Sequence, residues 1–389
     1  MRSRITILVL AIFCLNCTPE KEQEFPIDKQ IEVRFNPNIH TSHVIELFVW
    51  PGEYPTRPIV VAAQQYFEPF KDHPAIIFSD SLLQNEIFYF DELTEILLYL
   101  EAFPSTNFKH PLSNSPYADR IPIITTWIEN LAQFYEDAKV EDFLLKHQDF
   151  YQGAKQEVLK NLPPMNFAEQ IESYYRKSKL SYTIIPAPEM PTGGAYGQRG
   201  IGPYVYTEDG MLIYQVISAS LPVEKDSISN EYEVFGFDNK EFILRNSYHE
   251  FGHAFVNTIL DKPTNTKLLD KYETLFTPEL KVVMDKINYD NWFDCMAEHL
   301  VRLGEIRLAE RSGDLSWAEE LRAYHTSELN FVFLPELEQK VKEYEADESY
   351  NSFEAYLPEL FSALDDFNEE KIRSRISQKS GFQFMNRQK

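Results

Sequence analysis

The chain has 389 residues, 43% of them hydrophobic and 14% aromatic, enough to bury a sizeable core in one or two folding units. Its 61 acidic residues outnumber 37 basic ones, giving a formal net charge of -24. Nucleic-acid binding depends on Lys and Arg neutralising phosphates, so this balance sets nucleic acid aside as a partner.

The opening MRSRITILVLAIFCLNC sets Arg2 and Arg4 ahead of an apolar run from Ile5 to Phe13 that is too short to span a bilayer as a mature helix. It reads as a secretory signal. Its end, Cys14-Leu15-Asn16-Cys17, resembles a bacterial lipoprotein processing site, with Asn16 departing from the usual small residue. The resemblance implies that residues 1–17 form the signal and that Cys17 is lipidated as the first mature residue. Residues 18–30, TPEKEQEFPIDKQ, read as a flexible tether. With Cys14 removed and Cys17 acylated, Cys295 alone remains, and no disulfide framework is expected. No later segment has the roughly 18 uncharged apolar residues of a membrane span. The expected placement is therefore export, with a lipid anchor in the cell envelope, at the outer membrane, and the domain in water.

In chain order, IEVRF (31–35) and VIELFVW (44–50) have the β-branched and aromatic character of two paired strands. From about Ser81 to Lys160 apolar stripes predict helices, broken near Pro104, Pro111 and Pro122, and Pro163-Pro164 closes this part. Strands return at LSYTIIPAP (180–188) and MLIYQVISA (211–219), on either side of PTGGAYGQRGIGP (191–203). Gly193, Gly194, Gly197, Gly200 and Gly202 fall within ten residues, so the backbone there turns sharply or lies close to something. A hairpin tip and a substrate-facing edge beside a cleft both fit. From Asn239 onward the pattern is helical, ending in a charged tail after Glu369. The expected fold class is α+β and helix-rich, with a small sheet upstream of one long helix and an all-helical C-terminal part. Residues 31–178 are expected to form an N-terminal strand and helix region, and 179–389 the catalytic region.

That long helix contains NSYHEFGHAFVNT (246–258). At 100° per residue, Asn246, His249, Glu250, His253 and Asn257 form one polar stripe on a helix that is otherwise apolar. His249 and His253 are one turn apart, so both imidazoles can reach one ion, and Glu250 beside them can reach a water on that ion. This is the HExxH pattern of zincins. Two imidazoles and one carboxylate leave a fourth position for water on zinc, whose proton Glu250 can take as general base.

The third ligand is sought in NWFDCMAEHLVRLGEIRLAE (291–310), an amphipathic helix with Asn291, Asp294, Glu298, Arg302 and Glu305 on its polar side. That side either faces solvent, with Glu298 and Arg302 paired, or faces the HExxH helix. In the second case Glu298 supplies the ligand and Arg302 steers its carboxylate or binds substrate. Asp294, Cys295 and His299 are rivals, but His299 points about 100° from Glu298 and Cys295 has apolar neighbours, so Glu298 leads.

These residues resemble the gluzincin branch of zinc metallopeptidases, in which HExxH is joined by a glutamate from a later helix. The order of HPAIIF, GGAYG, HEFGHAFVN and AEHLVR is similar to an uncharacterised family of bacterial lipoproteins described as candidate metallopeptidases. The resemblance implies one Zn2+ on His249, His253 and Glu298, Glu250 as general base, and an edge strand, near Tyr196 to Tyr206, along a peptide or protein substrate. Two features depart from it: 44 residues separate His253 from Glu298, and Arg302 stands where an orienting aspartate is common. Arg302, Tyr196, Tyr248, Tyr324 and His325 are candidates by type to stabilise an oxyanion, and Asn257 to support the ligands.

The expected function is a lipid-anchored zinc peptidase. The alternatives are a zinc protein without peptidase turnover and a cell-envelope interaction protein docking a partner on residues 81–160.

Overall fold

The computed structural model describes residues 29–52, 57–192, 198–226 and 231–376. Cys17, most of the tether, Gly193, Gly194, Tyr196, Gly197 and the tail beyond 376 lie outside the described residues. The fold is α+β and helix-rich.

Strand β1 (Ile31–Val33) is followed by helices α1 (Pro37–Val49), α2 (Pro58–Phe67), α3 (Pro74–Gln84), α4 (Phe90–Leu97), α5 (Ile121–Asp137), α6 (Val140–Lys146), α7 (Gln148–Lys160) and α8 (Phe167–Tyr175). Residues 44–50, expected as a strand beside 31–35, form instead the end of α1 and its C-cap, Trp50. Asn36 caps that helix, its side chain accepting from Asn38 N–H at 3.0 Å and Ile39 N–H at 3.3 Å, and Pro37 presets the first turn. Almost every residue of α1 is buried, so its β-branched and aromatic content reflects a core helix rather than a pleat. Helix α2 and the start of α3 precede Ser81, where helix was expected to begin.

The sheet is completed by β2 (Ser181–Pro186), β3 (Gly200–Ile201), β4 (Tyr204–Thr207) and β5 (Gly210–Ile217). A separate ribbon pairs β6 (Glu224–Lys225) with β7 (Tyr232–Val234). In the main sheet β1 lies parallel to β2, and β2 parallel to β5. Strands β3 and β4 both run antiparallel to β5 in one register, Gly200↔Ile217 and Ile201↔Val216, then Tyr204↔Ile213 and Val205↔Leu212. Between them Tyr214 N–H donates to the Pro203 carbonyl at 2.9 Å. Residues 200–207 are therefore one edge strand with a break at Gly202-Pro203.

Alternate side chains of a strand face opposite ways, and this sheet has a core on each side. Tyr182, Ile184, Tyr204, Ile213 and Ile217 join the core of the C-terminal helices. Ile185, Ile201, Val205, Tyr214 and Val216 join a second core built mostly from α1 to α7.

Helix α9 (Lys240–Leu260) opens at Asn239, whose side chain accepts from Phe242 N–H at 3.1 Å. It is followed by α10 (Pro263–Asp270), α11 (Pro278–Asp285), α12 (Trp292–Arg311), α13 (Leu315–Ala323), α14 (Leu334–Ala346), α15 (Phe353–Phe361) and α16 (Glu369–Arg375). Asn291 caps α12 by accepting from Asp294 N–H at 2.9 Å. From Cys295 to Ala309 all of α12 except Arg302 is buried, so Glu298 and Glu305 do not face solvent, whereas Asn291 at its start is exposed.

Candidate metal and catalytic site

Helices α9 and α12 lie against each other in opposite directions, since His249 meets Glu305 while His253 meets Glu298. Gly252 faces Val301 of α12, where a Cβ would make ordinary van der Waals contact at 3.4 Å. The polar stripe of α9 thus meets the polar side of α12 inside the protein.

One imidazole nitrogen from each of His249 and His253 and one carboxylate oxygen of Glu298 lie within 4.8 Å of one another and could hold a metal ion. The two Nε2 atoms are 3.2 Å apart. His253 Nε2 stands 3.4 Å from Glu298 Oε1, and His249 Nε2 stands 3.9 Å from Glu298 Oε2.

The hydrogen bonds behind these atoms determine what they present. A carboxylate only accepts, so His249 Nδ1–H donates to Glu305 Oε1 at 2.6 Å, and Nε2 is left with its lone pair. His253 Nδ1 lies 3.5 Å from Asn257 Oδ1, another acceptor, which leaves its Nε2 in the same state. With both rings neutral, two lone pairs and a carboxylate point at one another. A shared cation resolves that repulsion.

The charge balance argues the same way. Glu250, Glu298 and Glu305 are buried, at 5%, 6% and 4% exposure, against one guanidinium, Arg302. Arg302 reaches Glu305 Oε1 at 3.1 Å and Glu298 Oε2 at 3.3 Å. With His249 neutral, as a metal ligand must be, the ionised Glu298 and Glu305 outnumber the one guanidinium even though burial holds Glu250 near neutrality, and a cation would offset that buried negative charge. On both grounds these residues fit a metal.

Individual groups respond to this environment. Burial pushes Glu250 up to about 7, against the pull of His249 and Arg302. Burial pushes His253 down to about 4, so it stays neutral. Burial would also raise Glu305, yet Arg302 and hydrogen bonds from His249 and His325 hold it well below the usual carboxylate range. Burial raises Asp294 as well, and the charges of Glu298, Asp290 and Asp91 add to the effect.

Of the residues expected at the site, His249, Glu250, His253, Asn257, Glu298 and Arg302 come together. His325 enters indirectly: it sits in a π-helical turn (Tyr324–Glu328), and its Nε2 lies 3.0 Å from Glu305 Oε2. Tyr324 is half-buried beside it. Tyr248 turns away, donating from its hydroxyl to Gln170 at 3.2 Å and packing on Trp317. Burial raises the Cys295 thiol, and His299 Nδ1 donates to the Cys295 carbonyl at 2.7 Å, so both are occupied in the core. Two contributors escaped sequence reasoning. Glu305 was one polar residue among several on its helix face, and Tyr289, which lies against Glu298 and Arg302, carries no motif.

The edge strand lies directly on α9. A Cβ on Gly202 would fall 2.0 Å from the Glu250 carbonyl oxygen, and one on Gly200 would fall 2.0 Å from the Asn246 amide. Gly202 is required by this close approach to backbone, whereas at Gly200 the Asn246 side chain would have to swing away. Farther along, the strand's outward N–H groups are taken by α4 and the residues after it: Tyr204 N–H donates to Glu95 Oε2 at 3.0 Å, and Tyr206 N–H to the Tyr99 hydroxyl at 3.1 Å. The margin expected to face substrate from Tyr196 to Tyr206 is therefore covered at these two residues.

A family model described as a domain of unknown function (DUF4932) matches residues 119–363, a span that contains α9 and α12 but not α1 to α4. No curated protein and no solved structure matches the chain.

Proposed function

For a chain that belongs to the family of a domain of unknown function, DUF4932, we propose from the site itself a zinc-dependent hydrolase, most readily a peptidase. The observation that carries the reading is the convergence of His249 Nε2, His253 Nε2 and Glu298 within one ion's reach, with Glu250 alongside.

His249, His253 and Glu298 would hold the ion, and two imidazoles with one carboxylate are a donor set that suits zinc and keeps a position open. Zinc when bound supplies Lewis acidity toward water and toward a substrate carbonyl. Glu250 accepts a proton from the attacking water and passes it to the departing nitrogen, a transfer suited to a carboxyl near neutrality. Glu305 holds the His249 ring in place across the two helices, and Arg302 pairs with Glu298 and Glu305 along α12. A carboxylate in the position of Glu250 favours turnover over mere metal storage.

We further propose that Cys17 anchors the protein to the cell envelope through lipid, on the strength of the signal-like residues 1–17. Among the described residues no helix is long and apolar enough to cross a membrane.

Elemental analysis of the purified protein tests the site. About one zinc per chain is expected, lost in His249→Ala/His253→Ala, and a folded protein that takes up no zinc overturns the reading. Glu250→Gln is expected to keep zinc and lower peptide hydrolysis by roughly 10²- to 10⁴-fold. Unchanged hydrolysis in that variant would remove Glu250 from the mechanism.

A further inference from the structure

The cover over the edge strand limits what can enter the cleft. An extended peptide pairs with a sheet margin through outward N–H and C=O groups, and those N–H groups at Tyr204 and Tyr206 are already bonded to Glu95 and Tyr99. A peptide can pair beside Gly200 and Gly202 but not beyond Pro203.

The covered end coincides with the end of α9. Gly200 and Gly202 lie against Asn246 and Glu250, whereas Tyr204 and Tyr206 feel the charge of Asp261, the residue that follows α9. Because α12 runs opposite to α9, Asp294, one turn before Glu298, lies toward that same end.

The closed end is rich in carboxylates. Asp294 is near enough to Glu298, Asp290 and Asp91 to feel all three, and Asp91 belongs to α4. The Asn291 amide donates to Asp294 at 2.6 Å and to Asp290 at 3.2 Å. Glu298, nine-tenths buried, has no hydrogen-bond donor on Oε2, although Arg302 Nη2 is 3.3 Å away.

We infer that the cleft takes a peptide by its free amino terminus, the α-ammonium lying against Asp294 at the closed end and the chain leaving past Gly202 and Gly200. This rests on the peptidase reading and adds the substrate class: the protein is an aminopeptidase. A peptide running antiparallel to the edge strand brings its amino end toward Tyr204, and a parallel one would bring a carboxylate into repulsion there. Each turnover adds one water across the first peptide bond. The C–N bond breaks, the hydroxyl joins the carbonyl carbon, and the nitrogen takes the proton and becomes the next amino terminus.

The test uses the zinc-loaded protein, a short peptide and its N-acetylated twin, with products followed by mass spectrometry. Residues are expected to leave one at a time from the free amino end, with the acetylated peptide slower by roughly tenfold or more, the factor one charge-assisted hydrogen bond supplies. Asp294→Asn is expected to raise KM for the free peptide several-fold at unchanged zinc content. Equal rates for the two peptides, or internal cleavage, overturn the inference. If neither peptide is cut, calorimetric binding of both decides: a preference of about tenfold for the free amine supports the inference, and equal affinity overturns it. The peptidase reading stands or falls separately, on zinc content and on cleavage of any peptide at all.

Discussion

His249 Nδ1 stands 2.6 Å from Glu305 Oε1, and this contact decides which ring nitrogen faces the proposed ion. The carboxylate that orients His249 comes from Glu305, three residues past Arg302 on the same helix. Arg302 sits between the two glutamates, hydrogen-bonded to Glu305 and ion-paired with Glu298. Glu305→Gln keeps the shape but loses the charge, and is expected to weaken metal affinity by roughly 10- to 100-fold, measured by competition with a chelator. An unchanged affinity would mean that Glu305 serves the fold and not the metal.

Gly202→Ala places a methyl group 2.0 Å from the Glu250 carbonyl oxygen. The edge strand or the helix must then shift, at a cost of about 1–3 kcal/mol in urea unfolding. Because the shift occurs at the proposed general base, hydrolysis should fall in the fraction that remains folded. A variant with wild-type stability and activity would show that strand and helix can separate freely.

The pH dependence of stability should carry the signature of Glu95. Burial pushes its carboxyl up to about 8, opposed by hydrogen bonds from Tyr204 N–H and Tyr117, from an ordinary value of 4.5. Between those values the folded chain holds a proton that the unfolded chain has released. Stability is therefore complete below about pH 4.5 and declines as pH rises toward 8. Glu95→Gln should match the wild type at pH 5 and exceed it by on the order of 3 kcal/mol at pH 8, read from denaturant melts. Glu46, also pushed up to about 8 by burial, will leave a residual slope in the variant.

If Cys17 carries lipid, Cys17→Ala should move the protein from the membrane fraction to the soluble fraction and abolish incorporation of labelled fatty acid. Equal labelling of the variant would place the attachment elsewhere.

The sequence showed the proposed chemistry more clearly than the framework around it. The stripe on α9 was legible because it sits on an otherwise apolar helix, where two histidines and a glutamate at one-turn spacing have few structural uses. Strands β2 and β5 were legible from β-branched runs. Helix α1 was not, because complete burial erases the polar face that distinguishes a helix from a strand. Glu305 was hidden for a related reason: five polar residues shared its face, and only the packing of α12 on α9 separates those that meet a histidine from those that meet water. The cover over the edge strand could not be read at all, since it joins Glu95 and Tyr99 to residues more than a hundred positions later.

The order of the sheet also has a bearing on orientation. Strand β1 forms one margin and residues 200–207 the other, with β2 and β5 between. At the usual strand spacing the two margins are about 14 Å apart. A chain held from its amino-terminal side enters the sheet at the margin away from the cleft. If Cys17 carries lipid, the tethered margin and the proposed site are then on opposite borders of the sheet, and a surface that restrains the first leaves the second open to material arriving from the other side.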